Sequence, residues 1–389
     1  MRGSTAGIES TLARGASASH DALLSVLDRL FASLILTPAV VSYWRSVWVL
    51  MSIYVFPDDE LYSAIASTAI GIIGHLFFTL TQHVFEHLHP DKNRLVYYAT
   101  SRAYTFCFAF IGVNGWRGPW NLLDQVTITE GGTVAATALV GVIALAAIRA
   151  LRNVTAPPFA IATDYVEGYF KVVTMFRVTL VQKTSLYILD CLFSVLIVGT
   201  LVVFVWRGAW VLIDIYLFPE NEAWSAWASL AIGYMVVAIA FLLQPVMRWL
   251  CDRLNGAMRL LAADVFLLFS LLGTVNVWRG IWNLLNIYFL PENMELSCWI
   301  THWVSLILLI LLGCSNSLLV RGVYIDAEEP AGKCVVFPCY YLRLIFQQER
   351  EKKHKNGVQM VSATKIKQEK QEENDNHVVA VNIDAGNHI

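Results

Sequence analysis

"WRGAWVLIDIYLFPEN" runs from Trp206 to Asn221, and "WRGIWNLLNIYFLPEN" runs from Trp278 to Asn293. Two further copies stand upstream: "WRSVWVLMSIYVFPDD" from Trp44 and "WRGPWNLLDQVTITEG" from Trp116, the second without the FPE end. The steps between copies are 72, 90 and 72 residues, so copies one and three are 162 apart, as are two and four. That spacing describes a two-copy half that has been duplicated. The same offset of 162 relates Asp28 to Asp190, Gly71 to Gly233, Gln82 to Gln244 and Asn114 to Asn276.

Outward from the motif, the chain is strongly apolar. Of its 389 residues 57% are hydrophobic and 15% charged, with a mean hydropathy of +0.55. A soluble domain carries about 25% charged residues, so the composition is that of a membrane protein. The net charge of −2 supplies no basic field for a nucleic-acid partner. The seven cysteines form no disulfide framework.

Apolar runs lie near 22–43, 62–83, 97–115, 132–151, 186–205, 224–247, 260–277 and 299–319. Each is about the 20 residues needed to cross a bilayer as a helix, and none alternates as a barrel strand would. The expected fold is an all-α integral membrane protein of eight transmembrane helices, arranged as four helix pairs in two duplicated halves. One motif joins the two helices of each pair. The motif loops carry one arginine each, whereas the intervening loops and residues 321–389 are richer in Lys and Arg. By the positive-inside rule both termini are cytosolic and the motifs face outside. The layout is then an N-terminal tail (1–21), a first membrane half (22–151), a cytosolic linker (152–185), a second half (186–320) and a C-terminal tail (321–389).

Within a copy, Trp206, Trp210, Ile213 and Leu217 share a helical face. Indole rings favour the membrane interface, and a cation at a helix C-terminus complements the helix dipole and reaches headgroups. Gly208 suits a tight turn or a close helix approach. Pro219 stops the segment, and Glu220 and Asn221 suit the start of the next helix. The motif therefore reads as a short interfacial helix. Its candidate site residues are Trp44, Arg45 and Trp48; Trp116, Arg117 and Trp120; Trp206, Arg207, Trp210 and Asp214; and Trp278, Arg279 and Trp282. Four copies make a ring of tryptophans at the outer face, either a docking surface or a plain aromatic belt. Seven residues after the arginines come Ser52, Asp124, Asp214 and Asn286, so an obligatory Arg–Asp pair is not written into every copy.

Ionisable residues inside spans are costly and mark functional candidates. Asp28 and Asp190 each lie sixteen residues before their tryptophan, and Arg102 and Asp264 each fourteen. An approach of Arg102 to Asp264 between the halves, with Asp28 and Asp190 nearby, is one expectation. Snorkelling of all four to the cytosolic interface is the other. His83, Glu86 and His87 match the H-x-x-E-H zinc pattern, a weak metal candidate without further ligands, and no cofactor is expected. Tyr169–Lys183 mixes bases with aromatics, as a helix on an anionic membrane surface does. Cys334 and Cys339 are candidate S-acylation sites near the membrane, with free thiols the plainer expectation. From Asn356 onward the tail has the composition of a disordered segment.

The repeated W-R-G-x-W-x-L-L-D-x-Y-x-F-P-E-N on eight expected spans resembles the fuseless family of animal membrane proteins over about residues 22–320. Copy one departs from it at Ser46 and copy two lacks the FPE end. The resemblance implies a non-enzymatic, multi-pass presynaptic protein of the plasma membrane, with the lipid bilayer as its surroundings. It would place calcium channels at release sites and support vesicle release. Channels or scaffold proteins would be met through the linker and tail, and no catalytic residues carry over. Two alternatives stay open: a solute transporter or channel with a polar path near Arg102 and Asp264, favoured by internal repeats, and a metallopeptidase on His83 and His87.

Overall fold

The computed structural model describes residues 18–127, 130–180, 183–326 and 328–350. The first 17 residues and the tail from 351 onward, including the stretch from Asn356 read as disordered, lie outside the described residues. Among those described, the regular structure is all helical. The main helices are α1 (Ala18–Phe31), α2 (Thr37–Tyr54), α3 (Glu60–Leu80), α4 (Gln82–Glu86), α5 (Arg94–Val126) and α6 (Gly131–Ala147). They continue as α7 (Thr184–Leu192), α8 (Gly199–Tyr216), α9 (Glu222–Arg253), α10 (Gly256–Tyr288) and α11 (Met294–Leu311). A π-helical turn, Ala32–Leu36, joins α1 to α2, and a second, Phe193–Val198, joins α7 to α8. Six of these rods are long and apolar enough to cross a membrane. α6 is apolar but only 17 residues long, and α5, with 33 residues, is less apolar.

The motif is the last turns of a long helix in every copy, not a separate interfacial helix. α2, α5, α8 and α10 run unbroken through their tryptophans, and α5 does so across Pro119, which lacks an N–H and forgoes one helical hydrogen bond. In three copies the stop is the same. Phe56, Phe218 and Leu290, each preceding proline, adopt φ of 51°, 50° and 53°, a left-handed geometry that costs about 1–3 kcal/mol in a non-glycine residue. Asp59, Asn221 and Asn293 then cap the next helix, accepting from the backbone N–H of Tyr62, Trp224 and Leu296. The second copy has no proline there, and α5 ends instead in extended Thr127.

The helix that follows each motif does not pack chiefly on the helix it came from. α3 packs on α5, α6 on α8, α9 on α10, and α11 returns to α2. The expected motif-bound pairs are thus replaced by a cyclic hand-over. The residue after the motif arginine shows why. A Cβ at Gly118 would overlap Thr68 of α3, at Gly208 Ala138 of α6, and at Gly280 Leu230 of α9. The missing side chain lets the preceding outer helix come close. In copy one Ser46 takes this place, with its Oγ 3.3 Å from His302 Nδ1 of α11.

Candidate functional site

The four helix ends bring eight indoles onto one axis. Trp44, Trp116, Trp206 and Trp278 form a closed tetrad, each ring edge-on to its neighbours at 5.3–5.6 Å. Trp48, Trp120, Trp210 and Trp282 form a second at 5.6–5.9 Å. Edge-to-face contact suits the ring quadrupole and contributes about 0.5–1.5 kcal/mol per pair beyond burial. These rings therefore face inward and fill the axis. The belt reading, with indoles turned to the interface, is corrected for these eight.

The arginines are buried as well, and form a second closed ring around the tryptophans. Arg117 donates to Ser52 Oγ (3.1 Å), Arg207 to Asp124 Oδ1 (2.8 Å), Arg279 to Asp214 Oδ1 (2.6 Å) and Arg45 to Asn286 Oδ1 (2.6 Å). Each acceptor is the residue seven places after the arginine of the preceding copy, with copy four preceding copy one. The interface role expected for these arginines is replaced by this one: at 0–3% exposure they reach no headgroup. Serines and a threonine add further acceptors, although Arg45 Nη1 and Arg117 Nε keep no hydrogen-bond partner. Arg117 meets Ser63 and Ser67, Arg279 meets Ser225, Arg45 meets Ser297, and Arg207 meets Thr127. Burying a guanidinium is costly unless paired and hydrogen-bonded. The half-exposed Asp124 and Asp214 neutralise two of the four while keeping some hydration of their own.

The end of the axis opposite the motif turns is closed by the linker and by the 3-10 turn Ser315–Leu318 that follows α11. Trp206 Nε1 donates to Val154 O (2.9 Å), Trp278 Nε1 to Pro157 O (2.8 Å) and Trp44 Nε1 to Leu318 O (3.2 Å). Between tetrad and plug remains a space of about 20 Å³, little more than a water needs.

The buried acids hold this plug. Asp190 accepts from Thr174 Oγ1 (2.6 Å) and from the backbone N–H of Phe176 and Val178 (2.9 and 3.1 Å). Asp28 accepts from the N–H of Tyr341 and Leu342 (3.1 and 2.6 Å) and from Arg343 Nε (2.7 Å). It caps, from another element, the helical stretch 342–350. Two acids that the sequence reading passed over do the matching work from the plug side. Asp326 accepts from the N–H of Leu151 and Arg152 (2.7 and 2.8 Å), and Asp164 from Asn316 N–H (2.8 Å) and Ser315 Oγ (2.6 Å). Burial pushes the Asp326 carboxyl up, while those two N–H groups pull it back. Asp164 and Asp326 are themselves 162 apart, and that offset was the signal that could have found them.

Several expectations change here. Arg102 pairs with Asp164 and Ser315, not with Asp264, whose Oδ1 has no hydrogen-bond partner. Asp28 and Asp190 do not snorkel; both are buried against chain. Tyr169–Lys183 is not a surface helix. Where described it is irregular, with Tyr169, Phe170, Val172 and Met175 buried, because its aromatics fill the plug. Cys334 and Cys339 are also buried, unlike acylation sites. Cys339 Sγ donates to Pro158 O at 3.2 Å, and burial pushes its thiol up, away from the reactive thiolate. His83, Glu86 and His87 are exposed on or beside the five-residue α4. Among the described residues no three His, Cys, Asp or Glu side chains gather to hold a metal.

The family model described as Fuseless matches residues 23–319. No curated protein and no solved structure matches the chain.

Proposed function

The chain belongs to the Fuseless family, and on that premise we propose that it is a non-enzymatic, multi-pass organiser of the presynaptic plasma membrane. It crosses the bilayer eight times, as four motif copies in two duplicated halves, with both termini in the cytosol. Its task is to hold calcium channels at release sites, directly or through scaffold proteins, and so to support evoked vesicle release. One observation carries the reading of a packed organiser: the axis where four copies meet is filled by two tryptophan tetrads and stoppered by the linker and the turn Ser315–Leu318. A conduit needs a wettable path, and a rigid core that presents surfaces does not.

The test has two arms. In neurons depleted of the protein, calcium-channel density at release sites and evoked release are expected to fall together, and the wild-type chain to restore both. Normal channel density after depletion would overturn the organiser role. In proteoliposomes of purified protein, ion and solute fluxes are expected to equal those of empty vesicles. A saturable flux would favour the transporter alternative.

A further inference from the structure

On one flank of the bundle, α3, α5 and the segment from the second π turn into α8 do not close on one another. They leave a cavity of about 480 Å³, within the range of small-molecule sites. Its ends differ. Toward the plug it is walled by Thr79, Thr174, Ser194 and Arg321, with His75 beside them; toward the motif turns it is walled by Pro119, Leu122, Val126 and Phe204. From Thr79 to Thr68, both in the wall, α3 rises about 16 Å. The flanking faces at Ile73, Phe77 and Ile197 are exposed and apolar, so the open side gives onto hydrocarbon.

Two further observations mark it as more than loose packing. The offset of 162 carries Thr79 to Phe241 and Ser194 to Ala32 on the opposite flank. There Phe241 stands 5.1 Å from the ring of Phe159 and 5.9 Å from that of Phe337. One flank fills itself with aromatic side chains, while the other keeps small and polar ones around a space. Moreover Arg321, in the polar wall, is 4% exposed and has no carboxylate partner among the described residues. One η-nitrogen donates to Tyr169 O, the other has no hydrogen-bond partner, and the guanidinium lies 5.9 Å from the rings of both Tyr104 and Tyr169, which supply no counter-charge. A buried cation without an anion is expensive, and an apolar cleft with one cationic end fits an amphiphile of opposite charge.

We infer that this cavity binds a single-chain anionic lipid, a long-chain fatty acid. Its carboxylate lies at the Arg321 end and its chain runs between α5 and α8 toward Val126. The site is independent of any role in placing channels. The experiment is photolabelling of the purified full chain in neutral detergent with a diazirine-bearing palmitate, followed by peptide mapping. Label is expected in α3, α5 and α8, and the matching fatty alcohol should label about tenfold less, the effect of one charge-assisted hydrogen bond. Arg321→Gln should bring acid and alcohol to parity. Thr79→Phe, which copies the filled flank, should remove both, with an unchanged near-ultraviolet spectrum showing the tetrads intact. Equal labelling of the wild type by acid and alcohol, no label on these helices, or full labelling of a folded Thr79→Phe would each overturn the proposal. Competition separates the sources. Unlabelled palmitate is expected to displace the probe, whereas displacement by phosphatidylglycerol alone would assign the site to a two-chain lipid and overturn the fatty-acid assignment.

Discussion

Arg45 and Arg117 meet amide, thioether and hydroxyl acceptors, where Arg207 and Arg279 meet carboxylates. All four positions therefore share one geometry with two strengths of partner, which a pair of substitutions can exchange. Asp124→Asn is expected to destabilise the protein by about 1–3 kcal/mol, the difference made by a charged acceptor at a buried donor. Asn286→Asp is expected to raise the thermal midpoint by supplying Arg45 with the carboxylate it lacks. Thermal unfolding in detergent reads both, and a lower midpoint for Asn286→Asp would show that Arg45 is satisfied as it stands. Trp206 belongs to a tetrad and also holds Val154. Trp206→Ala should cost about 3–5 kcal/mol, as large aromatic truncations in cores do, and should weaken the near-ultraviolet circular dichroism of the coupled indoles.

At the scale of elements, the same acid in each half grips the loose segment that follows the other half. Asp28 of α1 takes the tail, and Asp190 of α7 takes the linker. Asp28→Ala removes the cap of the 342–350 helix and the partner of Arg343. Capping losses run to about 0.5–2 kcal/mol, enough to open a terminal segment without unfolding the bundle. The expected result is that Cys339 becomes reactive to a maleimide while Cys298, buried in α11, stays silent. Labelling of both, or of neither, would show that the tail is not held separately. The acids were visible in the sequence as costly charges. Their partners were not, because backbone N–H groups of a distant irregular segment leave no mark of their own on the residue pattern.

Across the whole molecule, closure depends on the last helix. α11 packs on α2 and gives Arg45 its Ser297 contact and Ser46 its His302 contact. The first half is thus completed by the end of the second, and each 3-10 turn, Leu151–Val154 and Ser315–Leu318, is clasped by an acid of the other segment. Two fragments, 1–182 and 183–389, expressed together should co-purify as a stable complex with the spectrum of the intact chain. Truncation before Met294 should leave a protein that is retained and degraded, because Arg45 is then short of partners and one side of α2 is bare. Survival of the truncated chain, judged by half-life in cells, would mean that the ring does not need closing.

By itself the sequence determined the four motif copies, their spacing, the helical and apolar character of the chain, the cap at Asn221, and the cost of Asp28 and Asp190. These are local or periodic properties, written in residues near one another. Only the tertiary structure decided where the motif points. An indole suits an interface and a core equally, and an arginine suits a headgroup and a buried acceptor equally. The choice follows from the crossing of four helices on one axis, which places the seventh residue after each arginine beside the arginine of the next copy. That neighbour relation belongs to the closed ring, and no single copy contains it.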